Sequence, residues 1–255
     1  MAKKSSISPL LHVGISTVLL LAGWLMAPFP LFIFIGLAPL FSLADRTETN
    51  SPLLEKMEYI LLSLSISLVA YCALKGESIV MALTAAIVFT LAFVAHAWVW
   101  QTLGIRTGKI TLILFWLGLE YIFLKLIPES GIFLADTMRL QGSWTRWNVH
   151  TGYLGSSFWV LTVNWCFYQT FLHDKVIHWG WFAAAVIVWL GPAAYSYTLD
   201  ISPISRQDMI NLYKGRPTEM DVAYLARGEF VVRTAAWLST LILLFTLVKS
   251  QTAKR

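Results

Sequence analysis

Few side chains in this sequence have the chemistry to act on anything, and most of them fall in two polar stretches. Glu129, Asp136, Arg139, Trp144, Arg146, Trp147 and His150 lie in the first, within 127–153. Basic and aromatic residues in alternation suit the headgroup layer of a bilayer, either as an interfacial anchor or as a mouth in which Arg139 or Arg146 takes a phosphate. Glu120 stands apart in the apolar run Leu117-Gly-Leu-Glu-Tyr121. An acid in such a setting either locks one helix to another by hydrogen bonding or lines a cavity. An acid and a histidine in reach of each other could support acyl transfer. Asp136, His150 and Glu120 are the residues to consider for it.

The second stretch, 196–228, contains Ser205-Arg-Gln-Asp208 and Thr218-Glu-Met-Asp221, both of which fit a helix-capping pattern. They predict short surface helices over Arg206–Tyr213 and Glu219–Arg227. In the first of these, Met209, Leu212 and Tyr213 share an apolar side. A third polar run, Asp45–Lys56, with Arg46, Glu48, Asn50, Ser51 and Pro52, reads as a connector.

No Cys/His set with metal-ligand spacing, phosphate-binding glycine loop or nucleophile elbow is present. No catalytic set, metal site or cofactor is therefore assigned. The five histidines are scattered singly, and Cys72 and Cys166 fall inside apolar runs, where a thiol behaves as a small apolar group. Asn164 and the small residues Thr151, Gly152, Gly155 and Ser156, with Trp159 nearby, read as helix packing. The amide should hydrogen-bond between helices, and the glycines should bring the start of the sixth helix against the fifth.

These groups must be positioned by apolar helices. Hydrophobic residues make up 57% of the chain and charged residues 13%, a composition that points to a polytopic all-α membrane protein. About eight transmembrane helices are expected, at Leu10–Met26, Leu31–Leu43, Met57–Leu74, Ser78–Leu103, Lys109–Leu126, Leu154–Phe171, Val176–Tyr195 and Phe230–Val248. Pro28 and Pro30 end the first, giving a hairpin with the second, and the start with Lys3 and Lys4 reads as an uncleaved first helix. The whole chain, 1–255, is one transmembrane domain. An even number of crossings puts both termini on one side, the cytoplasmic one, where the basic tail to Arg255 matches the basic start. The two long polar stretches then face the other way. A net charge of +5 suits anionic headgroups, and no soluble basic face for nucleic acid is present.

Several segments together resemble a family. Gly23-Trp-Leu-Met-Ala-Pro28 and Gly36-Leu-Ala-Pro-Leu-Phe-Ser-Leu-Ala-Asp-Arg46 are similar to the first two helices of apolipoprotein N-acyltransferases. Phe115-Trp-Leu-Gly-Leu-Glu-Tyr-Ile122 resembles the family's W-x-x-x-E-Y/F segment, and the run Trp147–Asn164 resembles its entry into helix six. Tyr224-Leu-Ala-Arg-Gly-Glu-Phe-Val-Val-Arg233 resembles its return into the membrane. The resemblance implies a bacterial inner-membrane location, with phospholipid and lipoproteins or other membrane subunits as partners. It also implies a nitrilase-like domain, with a Glu-Lys-Cys set, between helices seven and eight. In its place stands only 196–228, which has no cysteine, and neither Lys214 nor Glu219 has the family's surroundings. The expected function is therefore that of a non-catalytic membrane protein binding lipid or lipoprotein, or serving in an envelope complex. The rival readings are a membrane-embedded acyltransferase acting in lipoprotein maturation and, third, a transporter.

Overall fold

A computed structural model describes residues 8–26, 30–45, 53–174, 176–218 and 220–252, with the side chains of 53 and 105–109 excepted. Lys3, Lys4, Pro28, Arg46, Glu48, Asn50, Ser51, Pro52, Glu219 and Arg255 lie outside the described residues, as does the side chain of Lys109. The described elements are all helical. They are α1 (Pro9–Leu25), α2 (Ile33–Gly36), α3 (Ala38–Asp45), α4 (Leu53–Lys75), α5 (Ile79–Leu103) and α6 (Ile105–Leu126), then α7 (Asn148–Thr151), α8 (Gly155–Phe171), α9 (Trp179–Thr198), α10 (Arg206–Tyr213) and α11 (Val222–Thr252). Two 3-10 turns, Leu134–Met138 and Gly142–Trp144, lie between α6 and α7.

Three described helices, rather than the eight expected, are long and apolar enough to cross a membrane: Leu54–Lys75, Ile79–Leu103 and Val222–Thr252. Shorter apolar helices occupy Pro9–Leu25 and Ile33–Asp45. The outward faces of the long helices carry large apolar side chains, among them Leu62, Ile87, Trp237 and Phe245. A helix apolar on its outside as well as its inside belongs in lipid.

Local sequence explains where the helices start and stop. Ser8 caps α1 by accepting from Leu11 N, with Pro9 in the first turn, and Ser78 caps α5 by accepting from Met81 N. Gly104, at φ +95°, forms the one-residue join between α5 and α6. At α10 the expected capping box is present: Asp208 N donates to Ser205 Oγ, and Ser205 N to Asp208 Oδ2.

Two segments differ from expectation. The helix expected over Leu31–Leu43 is broken at Leu37 into α2 and α3, with Pro39, which has no N–H to donate to the ladder, in the first turn of α3. The helix expected over Glu219–Arg227 does not stand alone from Val222 onward but is the first part of α11, a 31-residue helix. At 1.5 Å per residue α11 is about 46 Å long, so it outreaches a hydrocarbon core of about 30 Å. Asp45 also departs from the connector reading, since it ends α3 and accepts from the Tyr168 hydroxyl of α8.

The packing order is α1 on α4, α4 on α5, α5 on α6 and α6 on α11, while α8 packs on α2, α3 and α9. The core centres on two tryptophans. Trp116 stacks on Phe89 at 4.6 Å between centroids, and Trp159 meets Phe34 edge-on at 4.8 Å. Trp159 Nε1 donates to Val188 O at 2.7 Å. That carbonyl is available because residue 192, four positions on in α9, is a proline without an N–H.

The break between α2 and α3 is buried against α8, and Asn164 satisfies it. Asn164 Oδ1 accepts from Leu37 N (2.7 Å) and Ala38 N (3.1 Å), while Nδ2 donates to Ile33 O and Val160 O (both 2.8 Å). Ser16 Oγ of α1 donates to Gly36 O from the other side. Non-helical backbone away from water is tolerated only when protein groups complete it in this way. The interhelical role expected of Asn164 is what the amide performs.

Candidate functional site

The two long polar stretches fold together as one cap over the end of the bundle where α6 finishes and α11 begins. Arg206 of α10 pairs with Asp136, Lys214 pairs with Glu129, and Arg146 Nη1 donates to Leu199 O at 2.7 Å. Trp144 Nε1 donates to Tyr197 Oη at 3.0 Å. Ser196 Oγ, fully buried at the end of α9, donates to Trp144 O and accepts from Trp147 N.

At the centre of the cap, the turn Leu134–Met138 presents three successive amides to three side chains. Phe133 N donates to Asp136 Oδ2 (2.9 Å), Leu134 N to Glu120 Oε1 (2.9 Å), and Ala135 N to Ser157 Oγ of α8 (3.0 Å). A short 3-10 turn leaves its first amides unpaired, and here α6, α8 and the turn itself each supply one acceptor. Glu120 therefore fastens the cap to the membrane helices. Its Oε2 is buried, and although Ser157 and Trp116 lie near the carboxyl, Oε2 forms no hydrogen bond with either.

Asp136 Oδ1 accepts from Tyr153 Oη (2.6 Å) and Arg206 Nη1 (3.3 Å). Burial raises this carboxyl above its ordinary range, and Arg206, the Tyr153 hydroxyl and the Phe133 amide pull the other way without cancelling it. Burial, with Asp136 beside it, holds the Tyr153 phenol well above its usual value. Arg206 lies over Gly131, where a Cβ would stand 2.7 Å from Nη1.

His150 is not part of this network. Its Nε2 lies 3.3 Å from Tyr195 Oη of α9, on the exposed side of the cap, and neither Glu120 nor Asp136 hydrogen-bonds to it. The acid–histidine set considered for acyl transfer is thus not assembled: the two acids cap one turn, and the histidine faces α9. Arg139 is exposed and Arg146 half-buried on the rim, while Trp147 packs edge-on to Trp159.

The small-residue motif has a second partner beside the one expected. Gly152, at φ +80°, meets Gly228 of α11 backbone to backbone, and a Cβ on Gly152 would stand 2.6 Å from Gly228 Cα. Gly152 thus seats the end of α7 against the last helix, while α8 itself packs on α6 as expected. Gly155 is required within its own turn, where a Cβ would run into Thr151. Asn148 Nδ2 donates to Ser156 Oγ at 3.0 Å.

Two groupings escaped the reading of the sequence. Glu229 Oε1 gathers the Tyr121 hydroxyl (2.9 Å), Lys125 Nζ (2.8 Å) and Arg233 Nη2 (3.1 Å). The i, i+4 spacing of Glu229 and Arg233 was a visible signal, but their link to α6 was not. At the opposite end of the bundle, Phe41, Asp45, His96, Leu112, Ile113, Trp165 and Tyr168 line a cavity of about 20 Å³, room for one water. Tyr168 Oη lies 2.9 Å from His173 Nδ1 there, and His96 Nδ1 lies 3.0 Å from Thr111 Oγ1.

Among the described residues no group of three or more His, Cys, Asp or Glu is placed to hold a metal ion. Cys72 and Cys166 are free and buried in α4 and α8. No family model, no curated protein and no solved structure matches the chain.

Proposed function

We propose that this chain is a multi-pass protein of the bacterial inner membrane. In this reading it is built like the membrane half of an apolipoprotein N-acyltransferase and holds phospholipid or lipoprotein, alone or as a subunit of an envelope assembly, without itself transferring acyl groups. The observation that carries the non-catalytic part is the use of both central carboxylates as acceptors for the amides of one turn, with His150 turned away to Tyr195. A general base must reach the proton it removes; each acid gives one oxygen to the turn, the other oxygen of Asp136 is taken by Tyr153 and Arg206, and that of Glu120 is buried.

The eight-crossing arrangement is part of the same proposal. Beside the three long apolar helices, α1, the α2–α3 pair, α6, α8 and α9 supply five further crossings, some shorter than a full span and completed by side chains such as Asn164. Both termini are then cytoplasmic, and the cap built from 127–153 and 196–228 faces outward. Its exposed Arg139, half-buried Arg146 and rim of Trp144, Tyr195 and Tyr197 have the composition of a headgroup-level surface.

Mass spectrometry of lipoprotein N-termini from cells with and without the protein tests the reading, alongside purification in mild detergent. Unchanged N-termini and a co-purifying lipoprotein or envelope complex are expected. An amide-linked acyl chain lost on deletion and restored by the wild type, but not by Glu120→Ala or His150→Ala, would overturn it.

A further inference from the structure

The Glu229 cluster lies beside the cap, which touches it through the Tyr213 ring at Lys125. Lys125 and Arg233 converge on a single carboxylate oxygen, yet their side chains remain 42% and 51% exposed, against 13% for Glu229. Two cations on one anion leave a charge of +1 on the flank where α6 meets α11.

The depth of this flank follows from the sequence of α11. Arg233 and Lys249 are sixteen positions apart, about 24 Å of helix at 1.5 Å per residue, and no Asp, Glu, Lys or Arg falls between them. A hydrocarbon core of about 30 Å bounded by the two cations puts Arg233 and Lys125 at the headgroup level of one leaflet.

Below the cations the surface is apolar. Trp237 lies four residues after Arg233, on the same side of α11, and is exposed. On α6, Ile122 precedes Lys125 by three residues and is exposed as well. Lys125 Nζ also lies 5.0 Å from the Tyr121 ring centroid and 5.4 Å from that of Tyr213, which fix the ammonium in place.

From this arrangement we infer that the α6–α11 flank is a binding site for an anionic phospholipid. Lys125 and Arg233 take the phosphate, and Ile122 and Trp237 lie along an acyl chain. The occupant is a lipid because the charge excess stands directly above an apolar wall, which a free phosphate would leave bare. The inference rests on the membrane reading proposed above and names the headgroup class and the residues that recognise it.

The full chain in phosphatidylcholine nanodiscs doped with phosphatidylglycerol, analysed by native mass spectrometry for retained lipid, tests it. One cation near a headgroup is worth roughly fivefold in affinity, so Lys125→Gln with Arg233→Gln should lower phosphatidylglycerol retention roughly thirtyfold. Arg216→Gln, the loss of one charge elsewhere on the cap, should leave retention unchanged. Glu229→Gln frees both cations and should raise retention several-fold; this variant keeps the inference testable if the double variant does not fold. Retention unaffected by the double variant, lowered by Glu229→Gln, or abolished by added inorganic phosphate would overturn the inference. None of those results bears on lipoprotein acylation, and an acyl-transfer phenotype would leave the lipid site standing, so the two readings fail separately.

Discussion

Replacing Asn164 by leucine should destabilise the protein by about 2–5 kcal/mol. The side chain is fully buried and completes three backbone groups of the broken α2–α3 segment: Leu37 N, Ala38 N and Ile33 O. Leucine fits the volume but pairs with none of them. Interhelical hydrogen bonds in membrane bundles average about 0.6 kcal/mol, which sets a floor near 2 kcal/mol for three. Orphaning a buried backbone group costs about 1–3 kcal/mol, which sets a ceiling near 9 kcal/mol before the segment relaxes. Unfolding by sodium dodecyl sulfate in mixed micelles, followed by tryptophan fluorescence, measures the difference. Thr162→Val on the same helix is the reference: this exposed hydroxyl donates only to Phe158 O within its own helix, and its loss should fall within about 0.5 kcal/mol of zero. A loss below about 1 kcal/mol for Asn164→Leu, with the fold intact, would refute the argument that a single amide holds the break.

Gly228→Ala places a methyl group in the Gly152 backbone and should prevent monodisperse elution in fluorescence-detected size exclusion, whereas Gly191→Ala, which meets open space in α9, should gain roughly 0.5–1 kcal/mol. Arg206→Gln leaves Asp136 buried without its cation and should cost about 3 kcal/mol in thermal unfolding, while Glu129→Gln, at an exposed pair, should cost nothing measurable. Asp136 should also impose a pH dependence. Its carboxyl is raised in the folded state, so its stabilising contribution is complete below the unfolded carboxylate range and is lost as pH rises through the folded value. Asp136→Asn should therefore flatten the fall in melting temperature as pH rises above the unfolded carboxylate range, and an unchanged slope would contradict the assignment. Trp159→Phe leaves Val188 O unpaired opposite Pro192 and should cost about 1–3 kcal/mol, read by the same melt.

Features set by neighbours in sequence were legible before the structure, and those set by distant partners were not. The Ser205–Asp208 capping box is local, and so is the buried amide at 164, whose apolar surroundings made a backbone or side-chain partner obligatory. Pro39 was equally local and marks the break in the second apolar helix, although hydropathy alone runs straight through it. Hydropathy also overcounted complete spans, because α1 and the α2–α3 pair are apolar but short. The contact of Gly152 with Gly228 joins positions in separate helices, and nothing in the spacing around either glycine indicates which helix the other occupies. The cap was visible only as two polar stretches. That they form one unit depends on Arg206 reaching Asp136 and Lys214 reaching Glu129, pairings that composition does not encode. The Glu229 cluster was hidden for the same reason, with Lys125 contributed by α6 and the other two members by α11.

The bond from Asn164 to the α2–α3 break has a consequence for biogenesis. Leu37 N and Asn164 are 127 positions apart, so at a synthesis rate of about 5–20 residues per second the break emerges some 6–25 seconds before the side chain that completes it. During that interval the second apolar segment carries unpaired amides and cannot rest stably in hydrocarbon. The backbone pairing of the α2–α3 break therefore waits for α8, 127 positions later in the chain.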